Sequence, residues 1–165
     1  MNVRKAQEED LDAVVLLASR KRDQYKHFSP VFWNPSKHAE AVQKEFFSKI
    51  IKERERFLLV AEEQGKIAGF LFAEIRVPPP VYDPGGKACL VDDFVISGNE
   101  TWERCGQVLF RKLEAICLEE GVSVLVSVCG RLDEAKKTFL GSTGSSVVSE
   151  WFVKELRDNR GVHET

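Results

Sequence analysis

CLVDDFVISGNETWERCGQVLFRKLEAICLEEGVSVLVSV, residues 89–128, is the stretch that decides the fold. Cys89 to Ile96 reads as a strand. Trp102 to Glu120 reads as a helix, because Leu109, Leu113, Ile116 and Cys117 recur on one face. Gly121 stands where a helix commonly ends in a left-handed residue. Val122 to Val128 is a near-continuous apolar run, and such a run directly after a helix predicts a buried strand parallel to the one before it. Residues 88–128 therefore read as one β-α-β unit.

Upstream, residues 2–6 predict a short strand. Glu8, Glu9 and Asp10 then place negative charge where a helix start favours it. Leu11, Val14, Val15 and Ala18 share a face, so 8–24 predicts an amphipathic helix. Tyr25 to Pro35 holds four aromatics and two prolines without periodicity, which predicts a loop. A second helix spans about 36–53 with Ala39, Val42, Phe46 and Ile50 inward. Phe57 to Glu62 and Ile67 to Val77 form a hairpin around Gln64-Gly65-Lys66, and Pro78-Pro79-Pro80 ends the second strand because proline cannot donate to a ladder. Downstream, Leu132 to Leu140 predicts a short helix and Val147 to Leu156 a last strand.

The resulting order, β-α-α-β-β-β-α-β-α-β, predicts a single α/β (α+β) domain over residues 1–157, followed by a polar tail at 158–165. Its sheet is mixed and mostly antiparallel, with one central parallel β-α-β unit and helices on both faces.

Composition narrows the function classes. Twenty-four basic against 26 acidic residues leave a formal charge of -2, which supplies no basic surface for nucleic acid. No apolar run approaches the roughly 20 residues of a membrane span, and the polar, acidic N-terminus is unlike a signal peptide, so a cytoplasmic protein without membrane partners is expected. Cys89, Cys105, Cys117 and Cys129 lack the close pairing of zinc ligands, and the three histidines lie far apart, so no metal is expected. Three of the cysteines sit in apolar segments; Cys105, in a polar loop, is the one expected to be reactive.

The element order together with the spacing inside 88–121 resembles the GNAT superfamily of N-acetyltransferases over nearly the whole chain. In that family a strand ends in a loop of pattern Q/R-x-x-G-x-G/A that opens a helix and holds the coenzyme A pyrophosphate on backbone N–H groups. Phe94-Val95-Ile96 matches the strand end, and the motif falls on Thr101-Trp102-Glu103-Arg104-Cys105-Gly106. Gly106 agrees with the pattern. Thr101 replaces glutamine or arginine, and Arg104 replaces the first glycine, offering a guanidinium to phosphate instead. The stretch Ala135 to Gly144 resembles A-x-x-x-Y-x-x-x-G, with Phe139 at the place of the tyrosine that protonates the departing thiolate and Ser145 at the place of a following aromatic.

The resemblance implies acetyl-coenzyme A as co-substrate, held by Phe94, Val95, Ile96, Thr101, Arg104, Cys105, Gly106, Gln107 and Phe139. It implies N-acetyl transfer to the amine of a small molecule or peptide by direct attack in a ternary complex. The alternative is a GNAT-like domain that binds acyl-coenzyme A or a protein partner without turnover. Direct attack needs a general base; Asp92, Asp93 and Glu74 are the candidates. Asp92 and Asp93 alternate across a strand, and Asp92 is expected to share a face with Leu90 and Phe94. Tyr25, Phe32, Trp33, Tyr82 and Glu150 are candidates for the acceptor pocket. A homodimer is a further possible assembly.

Overall fold

The computed structural model describes residues 1–98 and 101–156. The predicted 158–165 tail lies outside the described residues. Five strands, β1 (Asn2–Lys5), β2 (Arg56–Glu63), β3 (Lys66–Arg76), β4 (Lys87–Ile96) and β5 (Val122–Ser127), form one sheet in that order. β1 to β4 pair antiparallel, and β5 pairs parallel to β4. The helices are α1 (Leu11–Phe28), α2 (Ala39–Ile50), α3 (Gln107–Glu119) and α4 (Glu134–Ser142). This is the expected mixed α+β architecture.

Both faces of the sheet are covered, which explains the unbroken run Phe57-Leu58-Leu59-Val60-Ala61. Side chains alternate across a strand. Phe57, Leu59 and Ala61 therefore join the core under α3 and α4, while Leu58 and Val60 join the core under α1 and α2. The same split recurs on β3, with Leu71 and Ala73 on one side and Phe70 and Phe72 on the other. At the sheet's first edge, the Arg4 guanidinium bridges Asp10 at 2.6 and 2.9 Å and Glu62 at 2.9 Å, tying β1 to the turn that starts α1.

Five expectations change. α2 buries Phe47 and Ile50, while Val42 and Phe46, expected inward, are exposed. α1 runs through Phe28 rather than stopping near residue 24, and so carries Tyr25 into the interior. Trp102–Gly106 forms a π-type turn before α3 begins. β5 is the sheet's second edge instead of a buried strand, so the parallel unit is peripheral rather than central; of its residues only Val122 is buried. Residues 147–156 form no strand, and Val148, Trp151 and Phe152 stand 86%, 76% and 89% exposed. Strand propensity records fit to a half-buried pleated surface, and the segment does not join the ladder of β5. Among the described residues no helix is long and apolar enough to cross a membrane.

Candidate active site

The sheet opens at one point. The β4–β5 ladder ends at Val91↔Ser127, and the Val128 N–H closes it on the Val91 carbonyl at 2.9 Å. Beyond Val91, β4 continues to Ile96 paired only with β3. Asp92 is the extra residue of a β-bulge, since Phe72 pairs with Asp93 and Ala73 with Val91. A bulge bends its strand and re-aims the side chains that follow. Val91 and Phe94 consequently lie in the same core, and Asp92 is exposed rather than sharing a face with Phe94. Bulge and parting together make a cleft of about 140 Å³ whose walls include Phe94, Val95, Ile96, Trp102, Lys21 and Asp133. A depression of about 200 Å³ at the other end of the sheet is lined by Arg54, Glu55, Ile75, Lys87 and Glu120 and meets none of these residues.

An aromatic cluster backs the cleft. Phe94 lies 4.9 Å from Trp102, 5.7 Å from Phe139 and 6.2 Å from Phe110, centroid to centroid. Gly106 is part of this packing. A Cβ there would meet Trp102 at 2.8 Å and Phe139 at 3.4 Å, so the glycine is demanded by the cluster itself.

No protein-family model matches the chain, and neither does any curated protein. Solved structures do. A mutant of the BH1408 protein from Bacillus halodurans superposes with a TM-score of 0.84 at 15% identity, over 95% of this chain and 100% of that one. The aminoglycoside antibiotic 6'-N-acetyltransferase of Acinetobacter haemolyticus gives 0.71 at 16% identity, over 95% and 100%. The ribosomal-protein-alanine N-acetyltransferase of Brucella melitensis biovar Abortus gives 0.61 at 17% identity, over 96% and 100%. The fold is GNAT-like. At these identities the likeness is one of architecture.

On this GNAT-like frame the expected cofactor residues divide. Phe94, Val95 and Ile96 line the cleft. The Thr101 hydroxyl donates to the Gly98 carbonyl at 2.6 Å and closes the loop, and Gln107 opens α3. Arg104 turns to Glu63 at the end of β2, with 2.5 Å between Nη2 and Oε1. Phe139 is buried in the aromatic cluster. Cys105 is fully buried and burial pushes its thiol up to about 11, which reverses the expectation that it is the reactive cysteine.

The base candidates also separate. Asp93 accepts from Lys21 Nζ at 2.5 Å and Gln43 Nε2 at 3.1 Å, linking β4 to α1 and α2. Glu74 pairs with Arg76 at 2.9 Å and sits opposite Leu90, four residues along β3 from the Phe70↔Val95 pair, roughly 13 Å away. Asp92 stands at the parting itself. Its carboxyl is held above the ordinary range by desolvation first and by the charge of Asp93 second, although the residue as a whole is exposed.

Of the acceptor candidates, Tyr25 is a buried tie: its hydroxyl donates to Asp133 at 2.8 Å and accepts from the Gly130 N–H at 3.1 Å. Burial raises its pKa strongly. Trp33 packs on Tyr25 and Phe32, and Phe32 meets Trp151 at 6.2 Å, next to exposed Glu150. Tyr82 is exposed on the proline loop and does not line the cleft. Tyr25→Phe leaves the Asp133 carboxylate and the Gly130 amide each without this partner; an expected loss of about 1–3 kcal/mol, read by urea denaturation, would be contradicted by an unchanged midpoint.

One residue of the site has no place among the expected ones. Lys136 is fully buried and its Nζ has no hydrogen-bond partner. The signal was in the sequence: Lys136, Phe139 and Leu140 recur at i, i+3 and i+4, so a lysine occupies the inward face of α4.

Proposed function

We propose that the chain is an acyl-coenzyme A-dependent N-acyltransferase that moves an acetyl group to the amine of a small molecule or peptide. The observation that carries this reading is the opening of the sheet at Asp92, where β4 leaves β5 and exposes the strand end Phe94–Ile96 to a cleft. An acyl-pantetheine arm laid there would meet free β4 backbone groups, whose N–H donors would polarise the thioester carbonyl. The start of the helical segment at 102–107 would take the pyrophosphate, favoured by the helix dipole. Arg104, released from Glu63, would supply a guanidinium to the same phosphates. The amine attacks the carbonyl directly, and Asp92, whose carboxyl desolvation and Asp93 hold above its ordinary range, accepts the proton the amine loses.

Saturating acetyl-coenzyme A is expected to raise the melting temperature. At about 100 times Kd the linkage is roughly 2.7 kcal/mol, or about 5–10 °C for a chain of this size. An unmoved transition removes the reading. Thiol release across a panel of amines then measures turnover, and Asp92→Asn is expected to lower it by about 10²-fold or more at unchanged coenzyme binding. Asp93→Asn should instead act on stability, through Lys21.

Phe139 and Arg104 favour a second reading. Phe139 has no hydroxyl to offer a leaving thiolate, and Arg104 is engaged by Glu63. A domain that binds acyl-coenzyme A without turnover would show the thermal shift and release no thiol with any amine.

A further inference from the structure

Among the described residues Lys136 is the one fully buried lysine, and its surroundings locate it. α4 packs with Trp102 and Phe110 on the α3 side of the sheet. Lys21 and Asp93 belong to the opposite side, where Asp93 bonds to α1 and α2. The Lys136 Nζ nevertheless lies 5.8 Å over the Phe94 ring and interacts electrostatically with Lys21, Asp93, Cys129 and Asp133. The ammonium therefore lies against Phe94, a wall of the cleft. Three of these neighbours, Lys21, Phe94 and Asp133, are themselves walls of the cleft.

We propose that Lys136 is the proton donor to the coenzyme A sulfur, the step for which Phe139 has no hydroxyl. The assignment rests on the acyl-transfer reading above. The amine lone pair forms the new C–N bond at the thioester carbonyl, the C–S bond breaks with its electron pair on sulfur, and a Lys136 N–H passes its proton to that sulfur. Coenzyme A leaves as the thiol, Lys136 is left neutral and recovers a proton from solvent, and the proton shed by the new amide nitrogen goes to Asp92 or water. An ammonium without a hydrogen-bond partner carries no competing bond to break before it gives its proton.

The groups facing Lys136 set its acidity. Desolvation lowers its pKa to about 8, and Lys21 on α1 adds to the lowering. Cys129 in the loop after β5, Asp93 on β4 and Asp133 at the start of α4 oppose it. Asp92 on β4 also feels the lysine. The group is therefore protonated at neutral pH and acidic enough to give its proton to a thiolate.

The test compares wild type, Lys136→Met and Lys136→Arg. Acetyl-coenzyme A binding is read by thermal shift, and thiol release by pH profile with the most reactive amine of the panel, or with water as acceptor. The expected result is binding within about threefold in all three proteins, with kcat lower by about 10²–10³ in both variants. The wild-type profile should fall above about pH 8, and that limb should vanish in Lys136→Met. Turnover unchanged in Lys136→Met overturns the proposal. So does joint loss of binding and turnover, which marks a structural role, and so does markedly tighter binding, which marks a plug in the cleft. Binding without any thiol release in wild type overturns it while leaving the coenzyme site standing. No thermal shift in any of the three proteins defeats the acyl-transfer reading itself, and this proposal with it.

Discussion

Lys136→Met is expected to raise the melting temperature of the free protein by several degrees at pH 7. The lysine is wholly buried, lacks a hydrogen-bond partner, and has its pKa lowered from 10.5 to about 8. A gap of that size between folded and unfolded states corresponds to a penalty on the order of 3 kcal/mol, or about 5–10 °C for a domain of this length. Methionine keeps an unbranched apolar chain of similar reach in the same space. The pH dependence gives the sign. Between about 8 and 10.5 the unfolded chain holds the Lys136 proton more tightly than the folded one, so wild-type stability rises with pH across that window. The advantage of Lys136→Met is therefore full below pH 8, shrinks through the window and is gone above it. Urea denaturation at several pH values reads this directly, and an advantage that does not vary with pH would assign the effect to packing instead of charge. A buried residue that costs stability on balance is where function is to be sought.

Phe94→Ala carries the largest expected loss. Phe94 is 1% exposed and its ring meets Trp102, Phe110 and Phe139 as well as the Lys136 ammonium. Truncating a buried phenylalanine removes its transfer free energy and leaves a cavity, together about 3–5 kcal/mol. The cavity would open at the back of the cleft, so the thermal shift produced by acetyl-coenzyme A should shrink along with the stability. Phe94→Leu should recover most of the stability by refilling the space. A loss under about 1 kcal/mol for the alanine variant would mean that Trp102 and Phe139 collapse onto the gap, and that the cluster does not hold the cleft's shape.

The order of elements from β1 to α4 and the one parallel pair were legible because period-two alternation and 3.6-residue periodicity are local signals. Where a feature depends on pairing, the reading failed. Val147–Leu156 has the composition of a strand and forms none. Val122–Val128 reads as buried and is an edge. The bulge at Asp92 is not written in any residue type; it exists because β3 pairs Phe72 with Asp93 and Ala73 with Val91, and it reversed the expected facing of Asp92. Cys105 stands in a polar stretch of sequence and ends in the interior, because the π-type turn brings its sulfur against Gly69.

The same division runs through residues 89–128. Strand, helix and the right order of elements follow from local periodicity and from Gly121, whose φ of +72° ends α3 as expected. These are consequences of backbone sterics and of which side chains avoid water, and both act within a few residues. Where β4 leaves β5, which carboxylate stands at the parting, and that the inward lysine of α4 comes to lie over Phe94 are set by contacts between segments tens of residues apart. Such contacts are selected by the packing of the whole core, and no local pattern carries them.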